Sequence, residues 1–397
     1  MDPNAPGVCI IVENESVPFD QRAWQEACAL RDAGFYVAVI CPKGHGAQAS
    51  RETLRGIEIY RHRFWPAQGH FGYLVEYCTS LIAEFFLALK AYSDHKFQIL
   101  EACNPPDTTF LVALAFKPLG VRFVFDHHDL SPELYAVKFN RKGLVYRMMQ
   151  WAERWAFQCA DLSLATNESY REIAIARGGM RPERVVVVQT CADLREVNGN
   201  QPDPKVKGGF RNMVLYVGVM ESQDGLQLLL ESIEHLVKEK GRRDTRFVLV
   251  GDGTECPELR MAVARKGLDE FVEFTGEIPH AEVGHYLSSA DVCVAPDPLN
   301  ELNDRCTMIK NLEYMAYAKP VVLFDLKEGR RTLGDGALYA RPNDPIDFAE
   351  QIEQLLECET LRKTLGDRNR KRAQDGLNWQ VQGEILTKAF RSLLSKN

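Results

Sequence analysis

Residues Asp297 to Val322 read DPLNELNDRCTMIKNLEYMAYAKPVV. The stretch opens as a polar loop with no regular apolar period. From about Thr307 it turns helical, with Met308, Ile309, Leu312, Met315 and Ala316 at the spacing of one buried stripe. Lys319-Pro320 stops that helix, and Val321 to Phe324 reads as a short buried strand. Glu313 falls about 100° from the centre of the stripe, given the rotation of an α-helix per residue. That position is the rim of the packed face, where a carboxylate can look along a cleft. The helix start at Thr307 and Met308 offers unpaired backbone N–H groups and a positive dipole end, which favour an anion. A loop, a helix start and one rim carboxylate suit a phosphorylated sugar nucleotide. A plain α/β crossover, with Glu313 paired to Lys310 on the surface, fits the same spacing.

The totals frame this stretch. A chain of 397 residues points to two or three domains with ample core. An apolar content of 45% and a charged content of 26% belong to an ordinary globular protein. A net charge of −7 argues against a general nucleic-acid binder, which carries a basic surplus. No N-terminal signal is expected, because MDPNAPG is polar and VCIIVEN already reads as a strand. The longest apolar run, Ser80 to Ala91, is broken by Glu84 and Lys90 and falls short of a bilayer span. The eleven cysteines form no CxxC pair, and Cys9, Cys41 and Cys293 lie in strand-like runs. They read as reduced core residues of a cytosolic protein, and no Cys/His spacing fits a zinc site.

Strand-like runs alternate with amphipathic, helix-length segments from end to end, the pattern of parallel sheets covered on both faces. Val8 to Val12, Val37 to Cys41, Ile57 to Arg61, Ile99 to Leu100, Arg122 to Asp126, Leu162 to Thr166 and Val185 to Val188 are the strands of the first half. A helix around Arg22 to Ala33, closed by Gly34, joins the first two. Phe64 to Tyr92 is aromatic-rich and helical in period, carrying Phe64, Trp65, Phe71, Tyr73, Leu74, Tyr77, Phe85 and Phe86. It reads as a buried helix pair, or else as an apolar acceptor groove or a peripheral membrane contact. Residues 197–209, VNGNQPDPKVKGG, have the composition of a linker between a domain of residues 1–196 and one of residues 210–378. The second half repeats the alternation, with strands at Met213 to Val217, Arg246 to Val250, Val272 to Phe274, Val292 to Ala295, Val321 to Phe324 and Ala337 to Tyr339. Helices Pro345 to Glu357, Glu359 to Asp375 and Trp379 to Ser395 end the chain. The expected architecture is α/β: two Rossmann-like, doubly wound domains facing a cleft, with ligands at the carboxyl ends of the strands.

Three turns at strand ends carry chemistry. Gly251-Asp252-Gly253 directly follows the strand FVLV, and glycines there allow close backbone approach to a ligand. Gly218 and Val219 end the preceding strand, ahead of a helix opened by Gln223-Asp224-Gly225. A single such turn needs glycine for its own geometry, whereas several phosphate-compatible starts on one sheet edge point to one ligand. In the first half, Asp126-His127-His128-Asp129 ends a strand. Adjacent histidines in extended chain point to opposite sides, so one can be buried against an Asp while the other faces the cleft. Glu13-Asn14-Glu15 is the matching loop after the first strand.

These residues carry a resemblance. GDG after a strand, FTGEIPHAEVGHYLSSADVCVAPD (Phe274 to Asp297), LEYMAYAKPVV and HDLSPE resemble a retaining glycosyltransferase of family 4, the glycosyl transferases of group 1. The likeness implies the GT-B fold, with a nucleotide sugar, UDP- or GDP-linked, bound by the second half and an acceptor sugar or lipid-linked acceptor bound by the first. It implies no other cofactor and no catalytic metal. It places the Glu313 carboxylate on the ribose hydroxyls, Gly218 beside the diphosphate, and Gly251, Thr275 and Gly276 near the nucleotide. His128 takes the position of a histidine near the transferred sugar. The final helix is implied to cross back onto the first domain.

The chain also departs from the family pattern. Val219 and Asp224 stand where the family often has an Arg and a Lys. Arg305 stands where a first Glu of an EX7E motif ending at Glu313 would fall, and the glycine-rich loop after the first strand is replaced by Glu13 to Phe19. A leaving diphosphate develops negative charge and needs cations or oriented donors. Arg305 and Lys310 are therefore expected to supply it from the other side of the pocket. The resulting expectation is a cytoplasmic, metal-independent transferase in cell-surface polysaccharide or glycoconjugate assembly. A sugar-nucleotide 2-epimerase and a non-catalytic binding subunit of the same fold are the rivals. A dinucleotide oxidoreductase is disfavoured, because no GxGxxG opens either half.

Overall fold

The computed structural model describes residues 5–44, 46–63, 69–197 and 201–395, with the backbone alone at 69–76 and 280–281. The chain divides into two compact units, Met1–Thr190 with Val381–Asn397, and Cys191–Gln380.

In the first unit, β1 (Gly7–Ile11) is wholly buried and leads into α1 (Gln21–Asp32). Asp20 starts that helix, its carboxylate accepting the Ala23 N–H at 2.9 Å. β2 (Tyr36–Pro42) follows, then β3 (Arg51–Leu54) and β4 (Ile57–His62). β3 is absent from the sequence reading because RETL has exposed and half-buried residues and no apolar run. It pairs antiparallel with β4 at the sheet edge. The long α2 (Gly69–Asp94) is one helix and not the expected pair. It turns Ser80, Glu84, Ala88 and Ala91 inward. Of the aromatic stretch, Phe64 and Trp65 lie outside the described residues, as do the side chains of Phe71, Tyr73 and Leu74. β5 (Ile99–Cys103), α3 (Phe110–Phe116), β6 (Arg122–His127), α4 (Ser131–Phe139) and α5 (Leu144–Cys159) come next. β7 (Leu162–Ala165), α6 (Glu168–Ala176) and β8 (Val185–Val187) complete the sheet. Its order is β3-β4-β2-β1-β5-β6-β7-β8, parallel except at β3.

The second unit begins with α7 (Leu194–Val197) and β9 (Asn212–Val217). The compact units divide at Thr190/Cys191, a few residues before the expected boundary at 196/197. Residues 201–209 are not a free tether: Lys207 pairs with Asp291 at 2.6 Å, the Ser289 hydroxyl accepts the Asp203 N–H at 2.8 Å, and Val206 packs on the second core. Residues 198–200 of that segment lie outside the described residues. The alternation continues through α8 (Leu226–Glu234), β10 (Thr245–Val250), α9 (Cys256–Lys266), β11 (Val272–Gly276) and α10 (His280–Ser289). β12 (Val292–Ala295), α11 (Ile309–Ala316), β13 (Val321–Phe324), α12 (Lys327–Leu333) and β14 (Ala337–Ala340) follow. α13 (Pro345–Glu357) and α14 (Glu359–Asp375) then cover the sheet, whose order β11-β10-β9-β12-β13-β14 is parallel throughout. β9, β10, β12 and β13 are buried on both faces by two apolar clusters, which is why each reads as a continuous apolar run.

The last helix, α15 (Trp379–Leu394), starts in the second unit and counts from Val381 with the first. There Gln382 accepts the Gln189 N–H at 2.9 Å, and Arg391 donates to the Ala33 carbonyl at 2.9 Å. All eleven cysteines are free thiols, six of them buried, among them Cys9, Cys41 and Cys293. Among the described residues, no helix is long and apolar enough to cross a membrane.

Candidate functional site

The second sheet reverses its winding between β9 and β12, because β10 and β11 are laid down on one side and β12 to β14 on the other. Loops at the carboxyl ends of such strands diverge and leave a crevice for ligand. Gly218 and Val219 follow β9 there, and Asp297 follows β12. Gly218 has φ +152° and Gly251 has φ +126°, conformations that side chains rarely allow. The two loops touch backbone to backbone: a Cβ on Gly251 would stand 2.0 Å from the Gly218 carbonyl oxygen. A Cβ on Gly253 would likewise meet the Met220 carbonyl at 2.4 Å. Two hydrogen bonds lace them, Gly218 N–H to the Val250 carbonyl and Met220 N–H to the Asp252 carbonyl, both at 3.0 Å, and the Gly251 N–H bond to the Gly276 carbonyl at 3.1 Å ties the second loop to β11. Thr275 and Gly276, half-buried at the end of β11, thus join Gly218, Val219, Gly251, Asp252 and Gly253 on one edge.

α11 brings its start to the same edge of the sheet. Thr307 and Met308 are half-buried there, and Leu312, Met315 and Ala316 are buried as the stripe predicts. Ile309 departs from it and is half exposed, since the first turn overhangs the core. Glu313 sits half-buried at the rim. Lys310 is the main correction. It does not lie on the surface beside Glu313: its ammonium is buried 2.7 Å from Asp297 Oδ1 and 3.7 Å from Asp224 Oδ1, 4.9 Å above the Tyr216 ring. Burial alone would lower its pKa, but Asp297, Tyr216 and Asp224 reverse that and raise it. Burial pushes Asp224 up to about 6 against the pull of Lys310. A wheel places Lys310 off the apolar stripe, yet its long stem carries the charge inward to carboxylates distant in sequence.

Two residues missed in the sequence hold this edge together. The Tyr314 hydroxyl accepts the Val217 N–H at 2.9 Å and lies 3.3 Å from the Val294 carbonyl, tying α11 to the ends of β9 and β12. Asn303 donates to the Gln223 and Pro298 carbonyls at 2.9 and 3.0 Å, fixing the loop that bears Arg305 to the one after β9. Arg305 is half-buried in that loop. The only sequence signal was that Asn303 lies in an Asn/Asp-rich loop and Tyr314 follows Glu313.

In the first unit the winding reverses between β1 and β5. Glu13 after β1 is buried, and Asn104 after β5 is the organiser that the sequence reading missed. Its Oδ1 accepts the His128 and Asp129 N–H groups at 2.8 and 3.0 Å, while its Nδ2 donates to Asp107 and to the Asp129 carbonyl. The two histidines do part to opposite sides, but the buried one, His127, takes Glu153 at 3.1 Å and not an Asp. His128, partly open, holds Asp126 through Nδ1 at 3.0 Å. Burial would depress the His128 imidazole, but the Asp126 carboxylate outweighs it and raises the pKa. Arg22, also missed, grips both Asp126 oxygens at 2.8 and 2.6 Å and donates to the Val188 carbonyl and the Thr190 hydroxyl. Among the described residues, two clusters have metal-ligand geometry, Cys103/Asp126/His128 and Glu26/Glu101/Asp126. Asp126 is shared by both, so the Arg22 guanidinium already supplies the positive charge a metal would bring.

Residues 20–191 match the family model Glycosyl transferase 4-like domain, and residues 211–358 match Glycosyl transferases group 1. An α-D-kanosaminyltransferase of Streptomyces kanamyceticus is 24% identical over 252 residues, 62% of this chain and 64% of the relative. The O-antigen chain mannosyltransferase B of Escherichia coli is 23% identical over 264 residues, 65% and 67% of the two chains. About a third of each relative therefore lies outside the match. Sucrose-phosphate synthase of Thermosynechococcus elongatus superposes with TM-score 0.78 over 99% of this chain and 100% of its own, at 16% identity. HepE of Anabaena, solved in complex with UDP-glucose, gives TM-score 0.70 over 97% and 99%, also at 16% identity. These likenesses show the fold, GT-B with two Rossmann-like α/β units. The chain belongs to the glycosyl transferases of group 1, family 4, with the 4-like domain as its first half.

Proposed function

We propose that this chain is a retaining glycosyltransferase, moving a sugar from a nucleotide-sugar donor to an acceptor hydroxyl without a catalytic metal. The observation that carries the reading is the Gly218–Gly251 crossing at the winding reversal of the second sheet, beside the start of α11. Two backbones approach there to within contact, and since the Gly218 and Gly251 N–H groups are already bonded to the Val250 and Gly276 carbonyls, the start of α11 with its helix dipole would be the local partner for a diphosphate. Glu313 at the rim would take the ribose hydroxyls. Since Asp297 and Asp224 engage Lys310, positive charge for the departing diphosphate falls to Arg305 and the α11 start, not to an Arg305–Lys310 pair. The leaving diphosphate would accept the acceptor's proton on the face it vacates, which retains configuration and needs no protein nucleophile. The His128 imidazole, oriented by Asp126, would hydrogen-bond a sugar hydroxyl.

A UDP or GDP donor is the favoured class; a solved protein of the same fold holds UDP-glucose, which supports the former. Relatives that are an O-antigen chain mannosyltransferase and an α-D-kanosaminyltransferase support an acceptor in glycoconjugate or polysaccharide assembly. The test is to incubate the chain with UDP-, GDP-, ADP- and TDP-sugars without acceptor and follow the products by NMR. Slow release of free sugar, first appearing as the α anomer, from one donor is the expected result. A changed epimer would indicate a 2-epimerase. No turnover together with no nucleotide-induced stabilisation would indicate a binding subunit.

A further inference from the structure

We propose that the outer faces of α2, α3 and α5 form a docking surface for a bilayer rich in anionic lipid. The strands β4, β5, β6 and β7 are crossed in one direction along the first sheet, so right-handed connections put these three helices on one face. α3 packs against both α2 and α5. Each buries one side on the sheet: Ser80, Ala88 and Ala91 of α2, Phe110 and Phe116 of α3, Ala156 and Phe157 of α5. The opposite side should then be polar, as on an ordinary covering helix. It is not. On α5, Leu144, Met148, Trp151 and Trp155 form a stripe at helical spacing that is 75, 60, 65 and 42% exposed. α2 turns out Ile82, Phe86 and Leu89, and α3 turns out Leu111 and Leu114. Globular proteins seldom leave contiguous apolar surface of this kind open unless something covers it.

The charges select the occupant. The chain as a whole is acidic, at −7, yet Lys138 to Trp155 holds five basic residues and one acid. That acid, Glu153, is buried on His127 and Arg177. The exposed positions of α3 and α5 carry no acid at all, and Asp94 at the end of α2 is paired with Arg51. Arg141, Lys142, Arg147 and Arg154 thus rim an apolar stripe that includes two indoles packed edge-on at 5.7 Å. Indoles at the headgroup level, aliphatic side chains beneath and guanidinium groups around them match an anionic bilayer surface. A second copy of this chain would bring like charge against that basic rim. The proposal rests on surface chemistry and is independent of the donor reading.

The test is sedimentation of the full chain with vesicles of phosphatidylcholine alone or with equal parts phosphatidylglycerol. Binding should be at least roughly tenfold tighter to the anionic vesicles, with a blue shift of indole emission. The triple variant Met148→Glu/Trp151→Glu/Trp155→Glu and the charge variant Arg141→Ser/Lys142→Ser/Arg147→Ser should each lose at least about tenfold in binding while melting like the native chain. Equal partition to both vesicles, no binding to either, or full binding by both variants would overturn the proposal. So would a concentration-dependent dimer, abolished by the same substitutions, in a chain that ignores lipid.

Discussion

The α-carbon of Gly251 faces the carbonyl oxygen of Gly218 so closely that a methyl group there would stand 2.0 Å from it. With φ at +126°, Gly251→Ala is penalised twice, by strain and by overlap with backbone that cannot turn aside. The expected cost is about 3 kcal/mol or more, together with loss of nucleotide-induced stabilisation. Gly276→Ala is the control. Its φ is +71° but nothing lies within 4 Å of the new methyl, so about 1 kcal/mol is expected. Denaturant melts of the two variants check the contrast.

Lys310→Met should destabilise the second unit by about 3 kcal/mol, because it leaves Asp297 buried without its partner at 2.7 Å. Asp297→Asn should cost less, since Lys310 keeps Asp224 at 3.7 Å. The same melts decide this. Equal tolerance of both changes would mean that the pair is not holding the loop.

Arg305→Ala should lower kcat by roughly 10²–10³ if Arg305 is the main side-chain cation on the leaving diphosphate. Glu313→Gln should instead raise KM for the donor by about tenfold with a smaller effect on kcat, the loss of one charge-assisted hydrogen bond. Steady-state kinetics with the donor identified by the product assay separate the two roles.

Glu101 is fully buried, and burial, then the nearby Asp126 carboxylate, push its pKa up to about 8. Its folded pKa lies above the unfolded value of about 4.3. The protonated form is therefore favoured by folding, and that stability is complete below the unfolded pKa and is lost as pH rises toward 8. Glu101→Gln keeps the neutral shape and should flatten the decline in stability between about pH 5 and 8. Glu26, whose oxygens lie within 4.8 Å of those of Glu101 and Asp126, is raised in the same direction and will leave a residual slope. Melting temperature against pH for the two proteins is the measurement. A steeper slope in the variant would contradict the reading.

Much of this protein was legible in its sequence, and the reasons are local. Strands such as β9, β10 and β13 are short apolar runs because both faces of a parallel sheet are covered, so period and turn chemistry locate them without knowledge of their neighbours. Gly251 and Gly253 were legible for the same reason, since a turn at a strand end demands them. α13 and α14 have the predicted bounds, Pro345–Glu357 and Glu359–Asp375, set by Asp344, whose side chain caps the first, and by the extended backbone at Cys358 between them. The polar edge strand β3 escaped because pairing, not composition, makes it a strand.

What only the tertiary structure decided was the fate of the charges and the clamps. Lys310 looked like a surface or substrate-facing cation until Asp297 and Asp224, 13 and 86 positions away, were brought to it. Arg22 and Asn104 carried no visible signal, because their partners Asp126, Thr190, His128 and Asp129 lie at the end of β6 and in the loops after β6 and β8. The exposed face of α5 was hidden for a related reason. An amphipathic pattern shows that a helix has two faces, but only the sheet behind it tells which one is buried. Periodicity is a property of consecutive residues and survives in one dimension, whereas ion pairing and exposure belong to residues that meet only after the chain has folded.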